Sequence, residues 1–117
     1  MPTDRTIDYI EFPAVDLEQA KRFYAAAFGW KFEDYGPEYC AFNDGRLDGG
    51  FFKSNLRAST GEGSALVVLY AADLEAISAR VVEYGGKIVR AIFHFPGGRR
   101  FHFADPNGNE LAVWSDR

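Results

Sequence analysis

Apolar positions along the chain change period in the same order twice. Residues 7–15 (IDYIEFPAV) read as an extended stretch. Leu17, Ala20, Phe23, Tyr24, Ala27 and Phe28 then recur at the spacing of one helix face, with Lys21 and Arg22 on the solvent side. Asp16 stands where an N-cap belongs, Gln19 is its capping-box partner three residues on, and Gly29 supplies a left-handed stop. Extended pieces at 30–35, 39–42 and 50–53 follow, divided by Gly36-Pro37 and Asn43-Asp44-Gly45. The second half opens with an extended stretch at 65–70. A helix capped by Asp73 buries Leu74, Ile77 and Val81 and stops at Gly85-Gly86. Extended pieces at 87–95, 100–104 and 110–114 close the chain, turned by Gly97-Gly98 and by Asp105-Pro106-Asn107-Gly108.

The repetition reaches residue identity. Asp16-Leu17-Glu18 returns as Asp73-Leu74-Glu75, 57 residues on, and a glycine stands 13 residues beyond each Asp, at Gly29 and Gly86. Both halves read β-α-β-β-β. The predicted fold class is therefore α+β, one domain over 1–117 with module 1 at about 6–54, a polar linker at about 55–64 and module 2 at about 65–115. One such unit covers a single face of its sheet with its helix and leaves the other bare. Two units shelter the bare faces by curling their sheets into an eight-stranded, cup-like mixed sheet with helices outside. The inside of the cup is then the natural place for a ligand.

Composition narrows the function classes. Lys+Arg 13 against Asp+Glu 17 gives a net charge of −4, which argues against the basic footprint of a nucleic-acid binder. No apolar run approaches the roughly 20 residues of a membrane span, and the first residues lack the apolar core of a secretory signal. The expectation is a cytoplasmic protein without nucleic-acid or membrane partners. Cys40, the single cysteine, makes no internal disulfide and has no activating base identifiable from sequence. The 11 Phe, 6 Tyr and 2 Trp exceed what a small core needs, and an aromatic-lined cavity would use the surplus.

Three segments, VDLEQAKRFYAAAFGW (15–30), DGRLDGGFF (44–52) and FADPNGNELAVW (103–114), resemble the vicinal oxygen chelate superfamily. That superfamily includes glyoxalase I, extradiol dioxygenases, and fosfomycin- and bleomycin-resistance proteins. The resemblance implies paired βαβββ modules, often homodimeric, around a cavity that in many members holds a divalent metal. The positions it assigns to metal ligands carry Tyr9, Leu66 and Ala112 here, and 49–55 contains no His, Asp or Glu for a fourth. Phenol, isobutyl and methyl groups do not ordinarily hold Zn²⁺, Ni²⁺, Mn²⁺ or Fe²⁺. No cofactor is expected, and the activities that rest on a metal as Lewis acid are in doubt.

Strand alternation assigns what faces the cup instead. Phe101 and Phe103 pack under the helices and leave Arg100 and His102 toward the cup. Leu111 and Val113 go to the core, with Glu110, Ala112 and Trp114 inward. On the preceding strand Arg90, Ile92 and His94 share one face against Ala91, Phe93 and Phe95, and a tight turn at Gly97-Gly98 brings His94 across from His102. Tyr9 and Glu11 share a face. The acid–base candidates are Glu11, His102 and Glu110. The ligand-binding candidates are Tyr9, Phe51, Arg90, His94, Arg100, His102 and Trp114. Plainer roles stand beside these: both histidines as half-exposed strand residues, Glu110 as a solvated rim group, and Glu11 as a buried carboxylate paired with Arg100 or Arg90.

Three readings follow. One is a metal-free member, of the bleomycin-resistance kind, that binds a small organic molecule by stacking on Trp114, Tyr9 and Phe51, with Arg100 and His102 fixing an anionic or carbonyl group. Another is a lyase or isomerase acting beside a carbonyl, with Glu/His acid–base chemistry or a noncanonical divalent metal on His94, His102 and a Glu. The third is a structural or regulatory dimer whose cavity is vestigial.

Overall fold

Asp16 has extended backbone and accepts a hydrogen bond from the Gln19 amide at 3.1 Å, so the first helix begins at its predicted cap. Gly29, at φ 75°, takes the left-handed conformation that ends it. Asp73 caps the second helix in the same way through the Ala76 amide. The computed structural model describes residues 2–117. Their order is β1 (Tyr9–Ala14), α1 (Leu17–Phe28), β2 (Lys31–Asp34), β3 (Tyr39–Asn43) and β4 (Asp48–Lys53). Then come a 3-10 turn (Thr60–Glu62), β5 (Val67–Tyr70), α2 (Leu74–Glu83), β6 (Lys87–Phe95), β7 (Gly98–Ala104) and β8 (Glu110–Ser115). The fold is α+β, built from two βαβββ modules as the sequence predicts.

The eight strands form two four-stranded mixed sheets, ordered β1-β4-β3-β2 and β5-β8-β7-β6. In each module the first strand runs parallel to the last, and the other pairs are antiparallel. The apolar face of α1 serves both sheets. Tyr24 packs on Phe51 of the first sheet at 5.4 Å, and Phe23 packs on Phe103 of the second at 5.9 Å. The helix-covered faces thus share one core, and each sheet keeps an open face on its other side. Arg80 of α2 donates to the carbonyls of Ala26 and Ala27, closing the C-terminal end of α1.

The turn between β7 and β8 fastens the modules together. Asp105 is buried and accepts from the Tyr24 hydroxyl at 2.8 Å, from the amides of Asn107 and Asn109, and from Asn109 Nδ2. Asn109 also donates to the Pro13 carbonyl at 2.7 Å, and Asn107 binds the Asp16 backbone. Burial pushes the Asp105 carboxyl above its ordinary range.

Details of register depart from expectation. The hairpin between β6 and β7 turns at Pro96-Gly97, and Gly98 already belongs to β7. The inter-module stretch is fastened to β8 rather than hanging in solvent. Asn109 Oδ1 accepts from the Ala58 amide, the Glu110 amide donates to the Ala58 carbonyl, and Thr60 bonds Glu110. Among the described residues no helix is long and apolar enough to cross a membrane.

Candidate functional site

The open face of the second sheet is set by a β-bulge. Arg90 pairs with His102 and Phe93 with Arg100, and the register shifts between these pairs. The shift places Arg90 and Phe93, three residues apart, on one face, with Arg100 and His102 beside them. The Phe93 ring lies 5.9 Å from the His102 ring and 3.7 Å from the Arg90 guanidinium. The Arg100 guanidinium approaches the same ring at 5.4 Å. Farther along, Phe95, Trp114 and Tyr70 form an aromatic shelf, with Trp114 at 6.4 Å from Phe95 and 5.2 Å from Tyr70.

The same shift corrects the expectation for His94. It pairs with Arg99 and stands exposed on the face opposite His102. The two histidines do not meet, and His94, His102 and a Glu do not form a metal set. Ile92, predicted to share that face with Arg90, packs against the core instead.

His102, only 7% exposed, is held from one side. Its Nδ1 lies 3.1 Å from Glu110 Oε2, and Glu110 Oε1 accepts from the Thr60 amide at 2.9 Å and the Thr60 hydroxyl at 2.7 Å. The Thr60 amide above all, with the Thr60 hydroxyl and His102 adding to it, holds the Glu110 carboxyl below its ordinary range. A carboxylate can only accept, so Nδ1 carries a proton, and in the neutral form of the ring Nε2 is then the acceptor. Among the described residues Nε2 is buried and meets no partner, and neither does Arg100 Nε. His102 and Glu110 line a hollow of about 500 Å³ with Arg57, Thr60, Val89 and Arg90. Glu110 is thus a fixed, hydrogen-bonded group rather than a solvated one.

The first sheet's open face carries a different arrangement. Tyr39 donates to Glu11 Oε2 at 2.9 Å, and Tyr9 donates to Tyr39 at 2.6 Å. Gly50 makes room for this chain, because a Cβ there would lie 2.0 Å from the Tyr39 hydroxyl oxygen. Burial, then the hydrogen bonds to Tyr9 and Glu11, raises the Tyr39 phenol well above its ordinary range. Glu11 is exposed on edge strand β1, and its partner is this phenol rather than Arg90 or Arg100, which lie on the other sheet. A separate hollow of about 470 Å³ on this module is lined by Tyr9, Phe32, Tyr35, Phe42 and Asp48, among others.

Phe51 belongs to neither face. It is fully buried, stacked on Phe12 at 5.5 Å and tilted against Tyr24 and Phe42. In β4 it pairs with core-facing Phe12, and its neighbour Gly50 takes the open side beside Glu11. Tyr39, Thr60, Arg57 and Phe93 enter the two faces without having been singled out. Thr60 and Arg57 sit in the inter-module stretch, where periodicity gives no orientation, and Phe93 depends on the bulge.

The metal positions implied by resemblance carry no matching donors. The Tyr9 phenol is engaged with Tyr39, and Leu66 and Ala112 have no donor atom. Among the described residues no group of three or more His, Cys, Asp or Glu is placed to hold a metal ion. The residues present do not fit the superfamily's divalent metal.

No curated protein sequence matches this chain significantly. Solved structures do. A glyoxalase-related enzyme from Fulvimarina pelagi aligns with a TM-score of 0.79 at 21% identity, covering 95% of this chain and 88% of that one. Lactoylglutathione lyase from Agrobacterium tumefaciens gives a TM-score of 0.72 at 21% identity, covering 97% and 96% of the two chains. The fosfomycin resistance protein FosX from Mesorhizobium loti gives 0.76 at 16% identity, covering 97% and 93%. At these identities the likeness shows a common fold. A family model described as Glyoxalase/Bleomycin resistance protein/Dioxygenase superfamily matches residues 6–113, and the chain belongs to that superfamily.

Proposed function

We propose that this protein binds a small organic molecule on the open face of its second sheet and does so without a metal, as a bleomycin-resistance-like member of its superfamily. The observation that carries the reading is the buried, unpartnered Nε2 of His102, beside a Glu110 already committed to Thr60. A buried polar atom left unpaired costs about 1–3 kcal/mol, and a ligand that pairs it recovers that energy. Arg90, Arg100 and Trp114 flank the position. A cytoplasmic setting accords with the acidic, single-cysteine composition.

The same proposal includes a homodimer. Tyr9 on the first open face and Val68 and Tyr70 on the second are 43%, 40% and 49% exposed, apolar groups that a second copy would cover. The first open face offers Glu11 and the second Arg90 and Arg100, so two copies related by a twofold axis match charge when unlike faces meet. Such pairing would close the cup that one chain leaves as two halves, and would bring Tyr9 and Glu11 of one copy toward His102 of the other.

A second reading draws on the same pair of residues. An imidazole oriented by a carboxylate, with Nε2 free, is equipped to remove a proton beside a carbonyl, the chemistry of a lyase or isomerase. Glu11 would join it only across the dimer.

Thermal shifts across a small-molecule panel test the binding reading. A ligand at a hundredfold its Kd adds about 2.7 kcal/mol. The shift should vanish in His102→Ala, and an unchanged shift in that variant refutes the site. Metal analysis of the binding-competent protein should find substoichiometric divalent metal, and sedimentation should find a dimer. Ligand-specific exchange of a carbon-bound proton with deuterated solvent, lost in His102→Ala, would favour the enzyme.

A further inference from the structure

The geometry points to an organic anion as the ligand class, its anionic oxygens on the Arg90 and Arg57 guanidiniums and an adjacent O–H or N–H given to His102 Nε2. This rests on the binding reading above and adds to it a charge and a donor pattern.

The hollow beside His102 is lined by two guanidiniums, Arg57 and Arg90, with Arg100 just beyond the Phe93 ring. None of the three makes an ion pair or a side-chain hydrogen bond among the described residues. Every other Arg except Arg22 and Arg46 makes at least one such contact. The single carboxylate lining the hollow, Glu110, has both oxygens engaged by Thr60 and His102. In a chain with a net charge of −4, three of the five Arg that make no such contact therefore lie in or beside this one hollow.

Stacking explains how the guanidiniums are held without partners. Arg90 lies 3.7 Å over the Phe93 ring centroid, which fixes its plane and leaves the edge of the fork free for two parallel hydrogen bonds to a carboxylate or phosphoryl group. Arg57 packs its aliphatic stem against Gly108, within 3.2 Å of where a Cβ would stand, so its stem lies on the hollow's wall. His102 supplies the second, independent requirement. With Nδ1 donating to Glu110, its Nε2 in the neutral ring needs a donor, which a simple carboxylate or a fully ionised phosphoryl group does not provide. A hydroxyl or N–H next to the anionic group does. The apolar remainder of such a ligand has Val89, Phe93 and the Phe95–Trp114 shelf to lie on.

Isothermal titration with three matched probes reads each element. 3-Phenyllactate carries both the anion and the hydroxyl, its amide removes the charge, and 3-phenylpropanoate removes the hydroxyl. Phenyl phosphate and inorganic phosphate distinguish carboxylate from phosphoryl recognition. The acid should bind about 10-fold or more tightly than its amide, as expected for hydrogen bonds to charged groups. The Arg90→Met variant should lose about 10- to 100-fold in affinity for the acid and little for the amide, and Arg90→Lys should recover part of it. Losing the hydroxyl should cost less in His102→Ala than in the native chain. Equal affinity for acid and amide, abolished by His102→Ala, overturns the anion inference while the binding reading stands. Absence of binding by every anionic probe, while a neutral panel compound binds through His102, overturns the anion inference alone; absence of binding by these probes and by the whole panel overturns both. An Arg90→Met variant that changes only the dimer–monomer balance also overturns the inference, since the guanidiniums would then answer to Glu11 of a second copy.

Discussion

Replacing Glu110 by Gln keeps the side chain's shape and removes only its charge, which makes E110Q the sharpest probe of the His102 arrangement. The Gln carbonyl can still accept from the Thr60 amide and hydroxyl, now without charge assistance, but its NH2 group then faces His102 Nδ1. A donor opposite a donor is untenable, so the imidazole proton should move to Nε2 and convert the buried acceptor into a donor. Weakening two hydrogen bonds of 2.9 and 2.7 Å, and one to the ring at 3.1 Å, should cost about 1–3 kcal/mol in total. At this chain length that is about 4 °C of Tm per kcal/mol. The pH dependence has a definite sign. Folding holds Glu110 below its ordinary range, so its contribution is complete above the unfolded value of about 4.3 and is lost as pH falls through the lower folded value. The gap between native protein and E110Q should therefore shrink from about pH 5 downward. Imidazole nitrogen NMR reads the tautomer directly, because the chain has only His94 and His102, and His94→Gln leaves His102 alone in the spectrum. The same tautomer in native protein and E110Q, or equal stability at neutral pH, would refute the reasoning.

Three further outcomes test the frame around the site. Asp105→Asn places an NH2 group against the donors that Oδ2 now accepts from, Tyr24 and Asn109, and should cost about 1–3 kcal/mol in urea unfolding. Burial raises the Asp105 pKa in the folded state, so its charge opposes folding at neutral pH. That opposition eases as pH falls from the raised folded value toward the ordinary 3.9 or so, the reverse of the Glu110 trend. The gap between native protein and Asp105→Asn should therefore widen as pH falls through that range, and a gap that narrows would contradict it. Gly50→Ala should drive the Tyr39 phenol off Glu11 and destabilise the chain by about 1–3 kcal/mol without moving the His102 imidazole signals; unchanged stability would mean Tyr39 does not lie there. Cys40 is 1% exposed and burial raises its thiol pKa, so a disulfide reagent at mildly alkaline pH should modify it slowly in the folded chain and promptly in denaturant. Prompt native reaction would place it outside the core.

Elements with strong local chemistry are legible in the amino-acid sequence. Asp16 and Asp73 cap helices because a short carboxylate before an amphipathic run has little else to do, and Gly29 ends one because the next backbone step needs positive φ. Alternation placed Phe101, Phe103, Leu111 and Val113 in the core and His102 and Trp114 on the other side. Alternation failed at Phe93 and His94, where the bulge in β6 breaks the two-residue period that the inference depends on. It was also insufficient for Phe51, since Gly49 and Gly50 have no side chains and Phe51 and Phe52 are both apolar, so β4 shows no alternation. Thr60 was beyond reach for another reason. Its role comes from a chain crossing 50 residues away in sequence, and nothing local encodes that contact.

The two modules keep one scaffold and fill it differently. Position by position in the ladders, Ala41 and Gly50 pair in the first sheet where His102 and Ala112 pair in the second, and Tyr39 and Phe52 pair where Arg100 and Trp114 do. The polar chemistry of the first open face comes from β1 and β3 as Glu11 and Tyr39, and that of the second from β7 and β8 as Arg100, His102 and Glu110. A duplicated site serving one symmetric task would keep equivalent groups at equivalent positions. Here one face became an acidic, phenol-rich surface and the other a basic, imidazole-bearing one. Unlike faces are the ones with reason to meet. A twofold pair that joins them would produce two identical composite sites, each with a Tyr–Tyr–Glu chain from one copy opposite the His102–Glu110 pair of the other. Mixing Glu11→Gln chains with His102→Ala chains then distinguishes composite sites from separate ones. If both residues serve ligand binding across the interface, a mixed dimer has one site with both defects and one with neither, and keeps half the native stoichiometry. If the sites lie within single chains, the Glu11→Gln chain carries its own His102, and the remaining binding should show that variant's affinity rather than the native one.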